Sequence, residues 1–165
     1  MVLLEDIYKE HVNDLYRYMY SLSKDHYTAE DLVQEAFYRA FKVLDDYEVR
    51  SIRAWLFKVA YRAFIDHQRK NKRMIVKEEI DVEANVPSPE TRVVEKESYQ
   101  LLLQDLFTLK EMERQAILLA DLHELSYKEA AEVLDINVNT FKSHLSRGRK
   151  KMTSRIKERR SRGEG

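Results

Sequence analysis

Residues 126–151, SYKEAAEVLDINVNTFKSHLSRGRKK, decide how the second half of this 165-residue chain folds. Small Ala130 and Ala131 open a short apolar helix, residues 135–137 form a tight turn, and a second helix with a basic outer face follows. Small side chains allow two helices to cross closely, so this spacing predicts a helix-turn-helix. In DNA-binding proteins that motif places its second helix in the major groove.

The outward positions of the second helix are rich in side chains that contact DNA. Four residues near its start are expected closest to the base edges: Asn139, Thr140, Lys142 and Ser143. Four later residues are better placed for phosphates: Ser146, Arg147, Arg149 and Lys150. Arg147 is also able to reach a guanine. The same pattern occurs in helical hairpins that never touch DNA, but residues 138–165 carry ten basic residues against two acids, which favours DNA binding.

The composition favours an all-α chain. There are only 3 Gly and 2 Pro, too few for the turns of a sheet protein, and apolar residues recur at helical spacing almost throughout. Capping patterns mark the predicted helix starts, with Thr28 and Ser51 in the first half and Thr108, Ser126 and Asn137 in the second. The pattern predicts three helices in the first half and a helix-turn-helix in the second.

Two small helical domains joined by an acidic flexible linker follow from this reading. We expect a first domain over residues 1–75, a linker over 76–97 that runs into the next helix, a second domain over 98–160, and a disordered tail at 161–165. Both prolines lie in the linker, and residues 78–97 carry seven acids against two bases.

A second basic segment lies at residues 50–77, with nine basic residues against one acid. Aromatic residues interleave with it, and single-stranded nucleic acid is bound by positive grooves lined with rings. Most of these rings are expected in the core, whereas Tyr47, in a polar loop, is the better exposed ring. The basic candidates for this surface are Arg50, Arg53, Arg62, Arg69 and Lys70. Solvated helix faces remain the alternative for either basic segment.

Catalysis has little support in the sequence. There is no cysteine, the five histidines are not spaced as metal ligands, and no glycine loop or nucleophile elbow is present. We therefore expect that the protein is not an enzyme. We expect it to have no catalytic residue, no cofactor, no metal and no small-molecule substrate. The acidic first residues and the lack of a long apolar window lead us to expect a cytoplasmic protein.

Three motifs in order resemble the sigma factors of bacterial RNA polymerase. Residues 29–35, AEDLVQE, followed by Phe37, resemble the helix that binds core polymerase. Residues 53–60, RAWLFKVA, with Asp66 and Arg69, resemble the helices that melt and recognise the minus-ten element. Residues 126–151 resemble the helix-turn-helix that reads the minus-thirty-five element. With only these two modules, the chain resembles the extracytoplasmic-function (ECF) class.

The resemblance implies a mechanism and its partners. It implies that core RNA polymerase binds the residues Asp31, Leu32, Gln34, Glu35 and Phe37. It implies that the first module captures unpaired non-template bases at the minus-ten element, with Asp66 joining the basic candidates above, while the second module reads duplex promoter DNA. Sigma factors of this class are commonly held inactive by an anti-sigma factor, often one anchored in the membrane.

Departures from the family pattern concern the DNA sequence that is read. Arg62 stands where the family often has Asn, His144 where Arg is usual, and Gly148 where Ala is usual. Two other functions remain open at this point. One is a helix-turn-helix regulator that binds DNA as a dimer without docking on polymerase, and the other is an adaptor that uses its helices only for protein contacts. The AEDLVQE stretch argues against the first and the basic tail against the second.

Overall fold

The described structure consists of helices joined by short turns. A computed structural model describes residues 4–43, 51–77 and 93–163. These ranges contain α-helices and one π-helical turn, with no strand among them. The chain divides into two units, Met1–Pro89 and Glu90–Gly165. The all-α prediction is therefore confirmed. The predicted linker lies mostly outside the described residues, between the end of one helix at Lys77 and the start of the next at Val93.

The described residues of the first unit form three helices: α1 (Leu4–Ser23), α2 (His26–Val43) and α3 (Ile52–Lys77). Ser51 caps α3 as predicted, because its hydroxyl accepts the N–H of Ala54 at 3.2 Å. The predicted cap of α2 at Thr28 is wrong. That helix begins two residues earlier, and the Asp25 carboxylate accepts both the N–H of Thr28, at 3.2 Å, and its hydroxyl, at 2.6 Å.

The core of the first unit forms where small and large side chains of the three helices interdigitate. Tyr18 of α1 packs its ring 5.0 Å from that of Phe57 on α3, and both are fully buried. Ala36 and Ala40 of α2 are fully buried too, which lets that helix approach its neighbours closely. Each large apolar side chain buried in this way contributes about 1.5–3 kcal/mol.

Residues 93–163 of the second unit include four α-helices: α4 (Val93–Phe107), α5 (Glu111–Ile117), α6 (Tyr127–Leu134) and α7 (Val138–Ser161). Helix α5 continues into a π-helical turn, Leu118–Leu122. The predicted cap at Thr108 is wrong, because the hydroxyl of Thr108 donates to the carbonyl of Asp105 at 2.6 Å. Helix α5 begins after Lys110 instead, whose N–H donates to the carboxylate of Glu113 at 3.4 Å.

Candidate nucleic-acid interface

The predicted helix-turn-helix is present as α6 and α7. The capping box at the start of α6 is formed, with the N–H of Glu129 donating to Ser126 Oγ at 3.1 Å and the N–H of Ser126 donating to Glu129 Oε1 at 3.2 Å. At its other end Asp135 adopts a left-handed conformation with φ 57°. The N–H groups of Asp135 and Ile136 donate back to the carbonyls of Glu132 and Ala131, which is a Schellman motif.

Helix α7 starts directly after this turn. The side chain of Asn137 accepts the N–H of Thr140 at 2.8 Å, as the capping pattern predicted. One stripe of α7 is buried, and it consists of Phe141, Leu145, Gly148 and Met152. The turn therefore fixes where α7 begins, and the buried stripe fixes which side of α7 faces outward.

Gly148 lies where α7 approaches α5 most tightly. A Cβ at this position would stand 2.9 Å from Ile117 Cδ1 and 3.1 Å from the carbonyl oxygen of Glu113. Contacts this short are below normal van der Waals separation, so an alanine here would require the end of the Ile117 side chain and the backbone of Glu113 to shift. The departure from the usual alanine therefore coincides with a close approach of α7 to α5.

All the side chains that the sequence predicted for the minus-thirty-five element face solvent. These exposed residues are Asn139, Thr140, Lys142, Ser143, Ser146, Arg147, Arg149 and Lys150. A hollow of about 320 Å³ lies beside them, with Tyr127 of α6 on one wall and Lys142, Arg149 and Lys150 among its lining residues. The outer face of α7 is thus basic, and a hollow lies between it and Tyr127 of α6.

Arg149 is already engaged within the unit. Its Nε and Nη2 donate to the two carboxylate oxygens of Asp121 at 3.0 and 2.6 Å. This bidentate pair raises the pKa of Arg149 above its ordinary value, and the hydroxyl of Tyr127 adds to the effect. Sequence analysis missed Asp121, because nothing local distinguishes it from other acids on helix surfaces.

Glu113 is a second acid that sequence analysis missed. It is 1% exposed, and its Oε1 accepts a hydrogen bond from Lys151 Nζ at 2.8 Å. That bond is the main reason why the pKa of Glu113 lies below its ordinary value, although burial opposes it. The other oxygen, Oε2, lies 3.6 Å from Nε of Arg147. A buried carboxylate on α5 therefore faces two cations of α7.

Helix α3 carries most of the residues predicted to contact the minus-ten element. Some of them are exposed, and others form ion pairs with neighbouring helices. Arg62, Arg69 and Lys70 are exposed. Asp66 is partly buried and pairs with Arg39 of α2 at 2.9 Å. The remaining basic candidate on this helix, Arg53, pairs with Asp14 of α1 at 2.7 Å and lies over the ring of Phe57. Tyr47 and Arg50 lie outside the described residues.

The predicted polymerase-binding residues of α2 separate into two groups. Asp31, Gln34 and Glu35 are exposed. Leu32 and Phe37 are only 4% and 3% exposed, so their side chains face the core of the unit and fix α2 in place. Glu35 also accepts a hydrogen bond from Arg39 at 2.9 Å.

Two exposed rings extend the outer face of α2. Tyr27 and Tyr38 are 68% and 61% exposed, and sequence analysis missed both. They flank Asp31 and Gln34 at the helical spacing 27, 31, 34, 38, and that spacing was the available signal. The outer face of α2 therefore combines aromatic and polar groups, a composition found in protein–protein interfaces.

Comparisons with known proteins agree with this architecture. Residues 7–74 match the family model for sigma-70 region 2, and residues 101–152 match the model for sigma-70 region 4. The chain is 34% identical over 155 residues to the ECF RNA polymerase sigma factor SigM of Bacillus subtilis, covering 90% of this chain and 92% of that protein. It is 30% identical to the ECF RNA polymerase sigma factor SigW of the same organism, covering 93% and 87%.

A solved structure supports the same relationship. The sigma factor RpoE of Bartonella quintana, in complex with the anti-sigma factor NepR, matches with a TM-score of 0.74 and 29% identity. The match covers 93% of this chain and 98% of that one.

Two helical units, one with a helix-turn-helix that exposes a basic second helix, define a DNA-binding transcription factor. SigM of Bacillus subtilis, which is one third identical to this chain along nearly the whole length of both proteins, identifies the family more narrowly. The chain belongs to the sigma-70 family of RNA polymerase sigma factors, in its ECF class. It is an alternative sigma factor that directs promoter-specific transcription, and a regulator acting without polymerase is not favoured. Within residues 4–43, 51–77 and 93–163, no helix has the length and apolar character of a membrane span.

Proposed function

We propose that this sigma factor works through three separate surfaces, each built on one helix. The outer face of α2 docks on core RNA polymerase, the exposed cations of α3 contact the minus-ten element, and the outer face of α7 reads the minus-thirty-five element. The observation that carries the proposal is the sidedness of α7. Its apolar stripe is buried, while all the residues expected to contact DNA are exposed.

On α7 the proposal assigns two kinds of contact. Lys142 and Arg147 reach base edges, because both lie outward in the first half of the helix, which is the part that enters the major groove. Lys150 contacts the phosphate backbone from the rim of the hollow beside Tyr127. Arg149 takes a lesser part in DNA binding, because Asp121 occupies one edge of its guanidinium group.

On α2 the contact with polymerase is formed by Asp31 and Gln34 between the rings of Tyr27 and Tyr38. Exposed aromatic rings supply apolar area that a partner can cover, and the polar groups between them fix the register of the complex. Glu35 belongs to the same face, but its bond to Arg39 also links it to Asp66 on α3. Substitution of Glu35 would therefore disturb the unit as well as the docking face.

On α3 the exposed residues Arg62, Arg69 and Lys70 provide a cationic surface for the non-template strand. Tyr47 and Arg50 precede this helix in the sequence, and we assign them to base capture next to it. Positive charge attracts the strand, and rings or pockets that accept unpaired bases distinguish single strands from duplex.

The proposal extends to the cellular location of the protein and to its regulatory partner. This protein acts in the cytoplasm without a catalytic reaction of its own. It is held inactive by an anti-sigma factor, as RpoE of Bartonella quintana is bound by NepR.

A titration against core RNA polymerase tests the docking surface. We expect the double variant Asp31→Lys with Gln34→Ala to weaken binding at least tenfold, because it reverses a charge and removes a polar contact at the centre of the face. The control is Glu10→Lys with Asn13→Ala, a matched pair at exposed positions of α1. Equal affinity of the test variant and the control would contradict the assignment.

A further inference from the structure

Arg147, one of the two proposed base readers, is contacted by groups on two sides. Its Nη2 lies 3.0 Å from Nδ1 of His144, one helical turn earlier on α7. Its Nε lies 3.6 Å from Oε2 of Glu113 on α5. The guanidinium group is thus approached at two of its nitrogens by two different elements of the unit.

The chemistry of the groups fixes which of them donates. An arginine side chain has only N–H donors, so His144 Nδ1 has to be the acceptor of this hydrogen bond. This hydrogen bond corresponds to the tautomer of His144 that carries its proton on Nε2. An arginine at position 144, the usual residue of the family, would place a second cation beside Arg147 and offer no acceptor.

Glu113 is held as an anion in a fixed place. It is nearly inaccessible to solvent, and Lys151 and the N–H of Lys110 both donate to its Oε1. Its other oxygen is the one that faces Arg147. The hydrogen bond from Lys151 also keeps the pKa of this carboxyl low. The carboxylate therefore stays charged near neutral pH.

Gly148 makes this arrangement possible. It is the residue next to Arg147, and it leaves room for α7 to lie against the backbone of Glu113. The Cβ of an alanine there would stand 3.1 Å from the carbonyl oxygen of Glu113, so α5 or α7 would have to shift by a few tenths of an ångström. The two departures from the family pattern in this helix, His144 and Gly148, are thus both part of the surroundings of Arg147.

We propose that Glu113 and His144 are positioning residues that hold the guanidinium group of Arg147 in one orientation for reading a base of the minus-thirty-five element. This inference rests on the proposed reading role of α7. Arginine has several rotatable bonds, and ordering them on binding weakens a contact, whereas a side chain that is already ordered binds with less loss. Pre-ordering of Arg147 should strengthen the preference at the one base position that Arg147 reads. It should leave the preferences set by the other contacts of α7 unchanged.

The test uses polymerase assembled from core enzyme and the full chain. A library of duplex promoters randomised across the minus-thirty-five region identifies the preferred sequence, and titrations on its single-base variants give the preference at each position. Arg147→Ala should remove the preference at one position. His144→Ala should reduce the preference at that same position about three- to tenfold, the effect of one lost hydrogen bond. Glu113→Gln should act at that position too.

Three comparisons separate positioning from a general structural role. His144→Asn, which places an acceptor oxygen close to where Nδ1 lies, should restore most of the preference. In an Arg147→Ala background, His144→Ala and Glu113→Gln should cause no further change at that position. The salt dependence of binding should stay unchanged in His144→Ala, because that change removes no phosphate contact. The matched control is Glu111→Gln, at an exposed position of the same helix α5.

The outcomes distinguish this inference from the proposed function. If Arg147→Ala removes a base preference that His144→Ala and Glu113→Gln leave intact, positioning is wrong while reading by Arg147 stands. If Arg147→Ala changes no preference, the reading role fails and the inference fails with it. A loss spread evenly over all positions would also overturn positioning. Circular dichroism checks whether Glu113→Gln folds. If Glu113→Gln unfolds, the positioning role is tested by His144→Ala alone, because His144 is half-exposed and its replacement leaves the core intact.

Discussion

Glu113 makes the stability of the second unit depend on pH in a defined direction. Its pKa in the folded chain is lowered from its ordinary value of 4.5, mainly by the hydrogen bond from Lys151. A lowered pKa means that ionised Glu113 stabilises the folded chain at pH values above 4.5, and that this contribution is lost as the pH falls through the folded pKa.

We therefore expect Glu113→Gln to be less stable than the parent chain at pH 7, with the difference shrinking as the pH falls below 4.5. Urea unfolding at a series of pH values, followed by circular dichroism, measures this difference. Glu111→Gln is the control, since that residue is exposed, and its difference from the parent should stay small at every pH. A Glu113→Gln deficit that stays constant down to pH 3 would contradict the assignment.

Gly148 lies inside a helix, where glycine is normally unfavourable, yet replacing it should not help. Alanine gains about 0.5–1 kcal/mol in helix propensity, but forcing atoms into a tightly packed site costs about 1–3 kcal/mol. We expect Gly148→Ala to lower the free energy of unfolding by about 1 kcal/mol. Adding Ile117→Val removes the methyl group that lies 2.9 Å from the new Cβ and should recover part of the loss. Thermal unfolding measures both, and a more stable Gly148→Ala would show that the helices separate freely.

Different residues of α7 should determine the specificity and the affinity of promoter binding. Lys142→Ala should cost about 1–3 kcal/mol on the preferred promoter and change the ranking of promoters, because it removes a base contact. Lys150→Ala should weaken all promoters alike and lower the salt slope by about one, because it removes a phosphate contact. Quantitative binding of polymerase to a promoter set at several salt concentrations separates the two. A ranking indifferent to Lys142 would mean that it reads no base.

Helix ends show which local features sequence could predict. The caps at Ser126 and Asn137 were predictable, because a side chain and an N–H three residues later settle them without help from the rest of the fold. The predictions at Thr28 and Thr108 failed because competing partners stood three residues earlier. An Asp25 carboxylate caps α2 instead, and the carbonyl of Asp105 takes the hydroxyl of Thr108.

The first unit should be needed for polymerase to open promoter DNA. Duplex hides the faces of its bases, so base capture requires unpaired DNA. We expect Tyr47→Ala with Arg50→Ala to slow opening of the minus-ten region more than it weakens the initial complex. A fluorescent base in that region reports opening, and the control is Arg17→Ala, at an exposed position of α1.

A pre-melted bubble supplies the second half of that experiment. If the loop residues act in melting, polymerase carrying the variant should recover most of its function on the bubble template. A variant equally defective on duplex and bubble, or one that opens duplex at the normal rate, would contradict a role in melting.

The fold class and the order of the two modules followed from helical spacing and short motifs, but the contacts that tune the surfaces did not. Glu113 and Asp121 pair with residues 38 and 28 positions away, and only the packed unit brings those residues together. Leu32 and Phe37 lie on an apolar stripe at helical spacing, but the resemblance to the docking helix assigns them to polymerase contact, whereas both side chains are buried in the core of the unit.

The two faces of α7 also decide how this protein can evolve. In the described part of the second unit, no ion pair or hydrogen bond ties the side chains of Lys142, Ser146 or Lys150 to a neighbouring helix. A gene duplicate could change the codon for Lys142 and acquire a new promoter preference, or change those for Ser146 and Lys150 and adjust its overall affinity for DNA, with little loss of stability. Arg147 and Arg149 are under a different constraint, because a change at Arg149 leaves Asp121 without its cation and a change at Arg147 leaves the buried Glu113 with Lys151 alone. New promoter preferences should therefore arise first at Lys142, and changes at Arg147 or Arg149 should be accompanied by changes at Glu113 or Asp121.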